Sequence, residues 1–342
     1  MVQRGRGLGA RMAVEDPVGV AELVYGCVRW DWRWDDLDQR GVYLARLVRD
    51  LGLPLGPVVE GLAGDEQRRE RAARVLGLLA LSGSGEAREA LRGYAQEEEQ
   101  WEVKTKPRRP KALAGETNAR LLELLADPEE SEERRVAALD VLDDRGPEPG
   151  VIPLVSSLGT VGGTSALWPL IGVVEKLGAG AVPAAREWVR GEKAWLRALG
   201  YRVLIEHGEV EDVPVLVARL ERDWVAKRWC GPVLTARGLT RFGAEARGAA
   251  SLLRRFWLWT PHSYERAGYL EALAAIEPAG LDGIYVECLW DCEEAARLMG
   301  VERAPDQPEV RERLVYLRDD EMETAEVRAA ARERLAALTK QG

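Results

Sequence analysis

Tryptophans and basic residues alternate through the C-terminal half of the chain, and together they have the chemistry to bind a partner. Tryptophan anchors protein interfaces, and arginine pairs with carboxylates or phosphates. The densest stretch, Arg254 to Tyr264, combines two cations, several aromatic rings, a proline and one of only two histidines. We predict a contact zone made of Lys193, Trp195, Arg197, Trp224, Lys227, Arg228, Trp229, Arg254, Arg255, Trp257, Trp259, His262, Tyr264 and Arg266.

A structural interpretation of the same residues stays open. The tryptophans would then be oversized core residues, and the arginines would form a solvated face. His262 is then a surface or capping residue, with Thr260 capping a helix that begins at Pro261. His207 precedes Gly208 at the end of a helical pattern, where the helix dipole favours a cation.

The sequence offers little for metal or acid–base chemistry. Cys288 and Cys292 are four residues apart, which predicts one helical face, but a structural zinc site needs four ligands and no second cluster is nearby. Nucleotide-binding glycine motifs and a Gly-x-Ser-x-Gly elbow are absent from the sequence. We therefore predict no catalytic residue, no metal site and no cofactor.

Composition narrows the possible partners. The chain has 342 residues, of which 46% are apolar, and a formal net charge of −9. The negative charge argues against a dedicated nucleic-acid coat. Four cysteines are too few for a secreted disulfide framework, which favours a reducing cytoplasm. No apolar run approaches the roughly 20 residues that cross a bilayer, so we expect no membrane partner.

The elements that must position these residues recur along the chain. Pro153, Pro183 and Pro214 each open an amphipathic stretch and are spaced 30 and 31 residues apart. Second helical stretches follow and end in glycine, which predicts helical pairs of roughly 30 to 37 residues. The predicted second helices are Arg71 to Leu79, Arg135 to Leu142, Trp195 to Leu204, Val225 to Arg241, Tyr264 to Ile276 and Val327 to Leu338.

The Val-Pro openings and the Arg-x-x-Ala-x-x-x-Leu second helices resemble HEAT repeats, especially the short bacterial and phycobilisome-lyase-type variety. The resemblance implies an all-α, right-handed solenoid of about ten helical hairpins over residues 15–340. Residues 1–14 before it are basic and rich in glycine, so we expect a disordered tail there. The expected first helices lie near Val20, Val58, Ala87, Leu121, Leu154, Ala184, Val215, Ala249, Leu281 and Val310.

In such a solenoid the second helices would line a concave wall. Aligning three of them on Leu199, Leu234 and Leu270 puts Lys193, Arg228 and Tyr264 at equivalent positions. Helices of adjacent units pack about 10 Å apart. The alignment therefore predicts a ladder of basic and aromatic groups along one groove.

Two segments depart from the repeat. A charged insert near 97–114 is either a solvated loop or an arm that docks a partner or contacts phosphate. Trp30, Trp32 and Trp34 occupy alternate positions, so they would share one face of an extended segment. They would either close the end of the solenoid or form an exposed contact surface.

These patterns favour a cytoplasmic scaffold or adaptor that binds a macromolecule, most readily a protein, through its concave groove. The alternative is a DNA-binding solenoid similar to the alkylpurine DNA glycosylases. In that interpretation Asp223 and Trp224 would stabilise a cationic transition state. The two alternatives differ in the expected salt-sensitive affinity for DNA.

Overall fold

The computed structural model of this protein describes residues 1–17, 19–30, 39–92, 94 and 113–341. Every regular element within these ranges is a helix, and the strand-like pairing they contain is one antiparallel bridge between Gly159 and Ala166. The all-helical fold class is therefore confirmed. None of the helices in these ranges is long and apolar enough to cross a bilayer.

Nineteen α-helices lie in the described residues. They are α1 (Gly7–Glu15), α2 (Val20–Trp30), α3 (Arg40–Asp50), α4 (Gly56–Val59), α5 (Glu66–Leu81), α6 (Gly85–Arg92), α7 (Asn118–Ala126), α8 (Glu132–Asp144), α9 (Leu170–Leu177), α10 (Val182–Trp188), α11 (Ala194–His207), α12 (Val213–Val225), α13 (Pro232–Thr240), α14 (Ala250–Trp259), α15 (Arg266–Ile276), α16 (Asp282–Cys288), α17 (Glu294–Arg303), α18 (Pro308–Asp319) and α19 (Ala325–Gln341). Shorter 3-10 helices cover Val2–Arg4, Glu60–Ala63, Pro149–Ser157, Gly178–Ala181, Val210–Asp212, Gly243–Ala249 and Ser263–Glu265.

Local chemistry explains where many of these helices begin. Side chains of Asp65, Thr117 and Ser131 accept hydrogen bonds from backbone N–H groups in the first turns of α5, α7 and α8. Proline lies in the first turn of α10 and α12, where its missing N–H leaves no bond unmade. Helical residues occur at, or directly after, all ten predicted first-helix positions.

Helices that follow each other in the chain pack as pairs, such as α10 with α11 and α16 with α17. Glycine lets two of these pairs approach closely. A Cβ atom added at Gly200 of α11 would lie 2.9 Å from the carbonyl oxygen of Ala185, and one at Gly300 of α17 would lie 2.9 Å from that of Tyr285. Helical hairpins are thus the building block that the repeat predicts.

The stretch Val225 to Arg241, expected as one helix, is interrupted. Helix α12 ends at Val225 and α13 begins at Pro232, so residues 226–231 form a loop. Proline is disfavoured inside a helix because it lacks an N–H and clashes with the preceding turn. The register also differs from the expected ladder, because Leu199 and Leu270 are buried whereas Leu234 is 52% exposed.

Residues 1–14, expected as a disordered tail, have helical structure. Val2–Arg4 and Gly7–Glu15 are helical, and the Arg6 guanidinium makes paired hydrogen bonds to the Glu287 carboxylate at 2.7 to 3.0 Å. Gly5 has a φ of +63°, and a Cβ added there would lie 2.3 Å from the Sγ atom of Cys292. Buried ion pairing and close backbone packing, rather than an apolar run, hold this segment.

The chain forms two compact units instead of the single domain that the repeat suggested. Unit 1 comprises Met1–Glu99, Lys227–Val233 and Ala250–Gly342, and unit 2 comprises Gln100–Ala226 and Leu234–Ala249. Within unit 1, residues far apart in the chain are in contact, because the Arg46 guanidinium of α3 donates to Asp320 at 2.7 Å. A linear stack of hairpins predicts contacts between successive hairpins only.

Two predicted departures from the repeat lie largely outside the described residues. Trp32 and Trp34 are not described, and neither is the charged insert up to residue 112. Trp30, the last residue of α2, is described and is 74% exposed. The interpretation of these tryptophans as a lid or as a contact surface therefore stays a prediction.

Candidate functional site

The predicted contact residues fall in both units, and three of those in unit 2 lie at the start of α11. Lys193 is the N-cap residue of this helix, and its Nζ donates to the Ser156 carbonyl at 2.8 Å and lies 5.8 Å from the centre of the Trp195 indole. Arg197 donates to the Gly191 carbonyl at 3.0 Å. Both cations thus brace the loop before α11 while Trp195 is buried at 8% exposure.

Trp195 lines a cavity of about 570 Å³ in unit 2, which we call the tryptophan cavity. The other aromatic residue in the lining is Trp168, which is 84% exposed and follows a short hairpin closed by hydrogen bonds between Thr160 and Ser165. The sequence analysis missed Trp168, although the Gly-rich run before it signals a turn. The cavity is lined by Glu132, Val136, Thr160, Ser165, Ala166, Leu167, Trp168, Ile171, Trp195, Ala198, Leu199 and Arg202.

One hydrogen-bond donor of this cavity wall has no acceptor. The Nε1 atom of Trp195 is buried and makes no hydrogen bond. The edge of the indole faces Gly159, where an added Cβ would lie 3.0 Å from the ring, so the glycine leaves room for the tryptophan. A buried donor without a partner costs about 1–3 kcal/mol, which an acceptor supplied by a ligand would recover.

The alternative catalytic pair lies at the end of α12. Asp223 is 8% exposed, and its carboxylate lies 3.7 Å from the Arg219 guanidinium one helical turn earlier. Trp224 is half-buried. A buried carboxylate beside an arginine on its own helix is typical of a structural ion pair.

The contact residues of unit 1 begin in the loop between α12 and α13. Lys227 and Arg228 are exposed, and Lys227 has a φ of +51°, a left-handed conformation that non-glycine residues rarely adopt. Trp229 is half-buried and packs edge-on against the Phe256 ring, with 6.1 Å between centroids. The loop is therefore anchored to α14 by an aromatic contact.

Helix α14 divides the remaining predicted residues between core and surface. Trp257 is 3% exposed and lies under the Arg6 guanidinium at 4.7 Å, so it belongs to the core rather than to a partner surface. Trp259 is 53% exposed, with the Arg4 guanidinium 5.3 Å from its ring. Arg254 pairs with Glu277. Arg255 is exposed.

Arg266, predicted as a contact residue, is 1% exposed. Its guanidinium donates to both carboxylate oxygens of Asp291, at 2.7 and 3.1 Å, and to the carbonyl oxygens of Arg4 and Gly5. Because all of these acceptors lie inside unit 1, the side chain is not available to a partner. The correction follows from burial, which the alternation of arginine and tryptophan does not reveal.

His262 is paired with a cysteine that the sequence analysis did not single out. The Nε2 atom of His262 lies 3.2 Å from the Sγ atom of Cys230, and Cys230 is exposed. The Tyr264 ring is tilted against the imidazole at 5.4 Å between centroids. The two residues are 32 positions apart, which is one repeat length, so the repeat spacing was a usable signal.

Buried polar groups fix the backbone at His262. The His262 N–H donates to the Thr260 Oγ1 at 3.2 Å, and this hydroxyl donates to Glu265 Oε2 at 3.3 Å. The Tyr269 hydroxyl donates to the same Glu265 oxygen at 3.1 Å. Thr260 thus holds His262 directly, and the helical turn begins at Ser263 instead of the predicted Pro261.

Comparisons of the chain with family models, with curated proteins and with solved structures found no match. Among the described residues, no group of three or more His, Cys, Asp or Glu side chains is arranged to hold a metal ion. Cys288 ends α16 and Cys292 lies beyond it, so the two do not share a helical face as the spacing suggested. Both thiols are buried.

Proposed function

We propose that this chain is a HEAT-like scaffold or adaptor that binds a peptide segment of a partner protein in the tryptophan cavity of unit 2. The proposal includes the stacking of helical hairpins within each unit and a cytoplasmic setting, for which the four free cysteines give support. The observation that carries it is a cavity of about 570 Å³ that is lined by Trp168 and by Trp195, whose buried Nε1 donor is unpaired.

The size and lining of the cavity support a ligand that is largely apolar. Pockets for specific ligands range from about 300 to 1,000 Å³ and combine apolar walls with a few polar groups. Trp168 in the lining and Val161, which follows the lining residue Thr160, are 84% and 92% exposed. Contiguous exposed apolar surface marks interaction sites. An apolar side chain of the partner would cover them.

The polar groups at the cavity favour a peptide over a charged ligand. The Arg202 guanidinium pairs with Glu175, and a Glu132 carboxylate oxygen accepts from the Val161 N–H at 2.7 Å. The Arg202 guanidinium and this Glu132 oxygen therefore already have partners, whereas the buried Trp195 donor has none and calls for a neutral acceptor. A backbone carbonyl next to an apolar side chain supplies both features.

Selection from a displayed peptide library against the purified protein tests the proposal. We expect selected peptides to carry an apolar anchor and to lose about tenfold or more in affinity with Trp168→Ala, because truncated aromatic anchors typically cost 2 kcal/mol or more. Trp195→Phe keeps a ring but removes the donor, and we expect a smaller loss. Val225→Ala is the matched control, since Val225 is 81% exposed in the same unit.

The result that would overturn the proposal is equally specific. It fails if the library yields no peptide whose binding depends on Trp168, or if Val225→Ala weakens binding as much as Trp168→Ala. A titration of the protein with duplex DNA is carried out in parallel with the peptide selection. Salt-sensitive DNA binding together with peptide binding that ignores Trp168 would favour the nucleic-acid alternative.

A further inference from the structure

The four cysteines of the chain have different surroundings. Cys27, Cys288 and Cys292 are buried, and burial raises the pKa of the Cys288 thiol well above its ordinary value. Cys230 is exposed, and the His262 imidazole lies within hydrogen-bond distance of its Sγ atom. One cysteine thus combines access to solvent with a base, which is the combination that reactive cysteines need.

The loop that carries Cys230 has a constrained backbone. Lys227 has a φ of +51° and Gly231 one of +104°, so left-handed residues stand on both sides of the cysteine. Non-glycine residues held in this region cost about 1–3 kcal/mol and concentrate at functional sites. The Trp229–Phe256 contact, together with Thr260 and Glu265 beneath His262, keeps the two side chains facing each other.

We infer that Cys230 and His262 form a reactive thiol–imidazole pair that undergoes exchange with low-molecular-mass disulfides. His262 Nε2 takes the proton of the Cys230 thiol, and the thiolate attacks one sulfur of the disulfide. A new S–S bond forms to Cys230 as the old S–S bond breaks, and the departing thiolate takes the proton back from His262. The disulfide is the oxidant. One half of it stays bonded to Cys230, and the other half leaves as a thiol.

The charges around the pair support an anionic disulfide as substrate. Lys227 and Arg228 are exposed in the same loop, and their positive charges would attract an anionic disulfide. Tyr264 contacts the imidazole ring, and the Glu265 carboxylate accepts from Thr260 below it.

A thiol titration with the anionic disulfide 5,5′-dithiobis(2-nitrobenzoate) tests the inference. In the folded protein we expect one fast-reacting thiol per chain, lost in Cys230→Ser, and mass spectrometry then locates the modified residue. At about pH 7, His262→Gln slows modification of Cys230 by about tenfold or more, as expected for loss of a positioned base. His207→Gln, which changes the other histidine, leaves the rate unchanged.

Measuring the reaction rate at a second pH distinguishes a role of His262 as a base from a merely structural role. At about pH 10, where an exposed thiol ionises without help, the wild type and His262→Gln should react at the same rate. The inference fails if His262→Gln reacts as fast as the wild type at pH 7, or if a slower rate persists at pH 10. It also fails if a buried cysteine is modified before Cys230.

Discussion

The two units use their arginines in different ways. In unit 1, the ion pairs Arg266–Asp291 and Arg297–Glu323 are almost completely removed from solvent, with no side chain more than 2% exposed. In unit 2, Arg186 binds three carboxylates but remains 26% exposed, and its partner Glu211 is 64% exposed. Buried pairs must balance their own desolvation, whereas exposed pairs are largely screened by water.

The two units also differ in how far apart the partners of an ion pair lie in the sequence. Arg6 and Glu287 of unit 1 are 281 residues apart, and Arg46 and Asp320 are 274 apart. In unit 2, Arg186 and Asp212 are separated by only 26 residues, which is less than the predicted repeat length. The ion pair of unit 2 therefore joins residues that are close in the sequence, as a repeat predicts. The ion pairs of unit 1 join the two ends of the chain by buried charge.

Buried charge specifies the geometry of unit 1 more than it stabilises it. An apolar contact tolerates small shifts, but Glu323 must satisfy Arg46 and Arg297 at the same time, with distances of 2.7 to 2.9 Å. Losing Glu323 takes the shared carboxylate from Arg297 and leaves Arg46 with Asp320 in a desolvated site. Unit 1 should therefore respond to loss of charge far more strongly than unit 2.

Low pH should produce the largest difference in stability between unit 1 and unit 2. Burial alone would raise the pKa values of Asp320 and Glu323, but Arg46, Arg49 and Arg297 outweigh it and hold both pKa values below their ordinary range. A lowered pKa in the folded state contributes stability above the unfolded values of 3.8 and 4.5, which is lost as the pH falls through the folded values. Both carboxylates then become neutral among buried arginines.

Hydrogen exchange measured by mass spectrometry between about pH 5 and pH 3 checks this prediction. After correction for the intrinsic pH dependence of exchange, peptides from α3, α17 and α19 should lose protection before those from α8 and α11. Asp212 in unit 2 also has a lowered pKa, because Arg186 and the Glu209 N–H outweigh its burial, but Arg186 stays hydrated when the pair breaks. Equal loss in both units would contradict the comparison.

Replacing a single carboxylate should have the next largest effect. Glu323→Ala leaves Arg46 and Arg297 without their shared partner, and we expect a loss of about 3–5 kcal/mol in the free energy of unfolding. The control is Glu211→Ala in unit 2, with an expected loss below about 1 kcal/mol. Denaturant unfolding followed by circular dichroism measures both, and similar losses would remove the distinction between the units.

The N-terminal segment offers a smaller test of the same idea. Arg6→Met keeps the length of the side chain but leaves Glu287 without its cation, and we expect a loss of about 2–3 kcal/mol at neutral pH. Burial already raises the pKa of Glu287, against the opposing effect of Arg6. The loss of stability caused by Arg6→Met should therefore become smaller as the pH falls and Glu287 takes up a proton. A deficit that does not change with pH would mean that lost packing against Trp257 dominates.

The fold of the hairpins could be predicted because its signals are local. Proline openings, terminal glycines and apolar spacing lie within one helical pair, and the helices appear where these signals occur. The packing of residues 1–14 could not be predicted, because Arg6 and Glu287 look like any other charged pair in the sequence. A charged residue reveals its burial only through partners brought close by the fold.

The candidate sites show the same limit. The sequence pattern points to Trp195 and His262, and each lies at a candidate site. It does not point to Trp168 in the same cavity or to Cys230 beside His262. The Cys230–His262 pair had a signal in its separation of one repeat, whereas burial of Trp257 and Arg266 had none. A sequence pattern of alternating cations and aromatic residues occurs both on protein surfaces and in protein cores.

The smallest effect that we predict concerns a helix cap in unit 2. The Ser131 Oγ accepts from the Arg134 N–H at 3.3 Å and starts α8, so Ser131→Ala should reduce the free energy of unfolding by about 1 kcal/mol. Ser156→Ala is the control, because Ser156 is exposed and caps no helix. If unit 2 depends on local helix signals, hydrogen exchange in α8 rises while α17 and α19 keep their protection. Loss of protection in α17 as well would show that the two units respond as one.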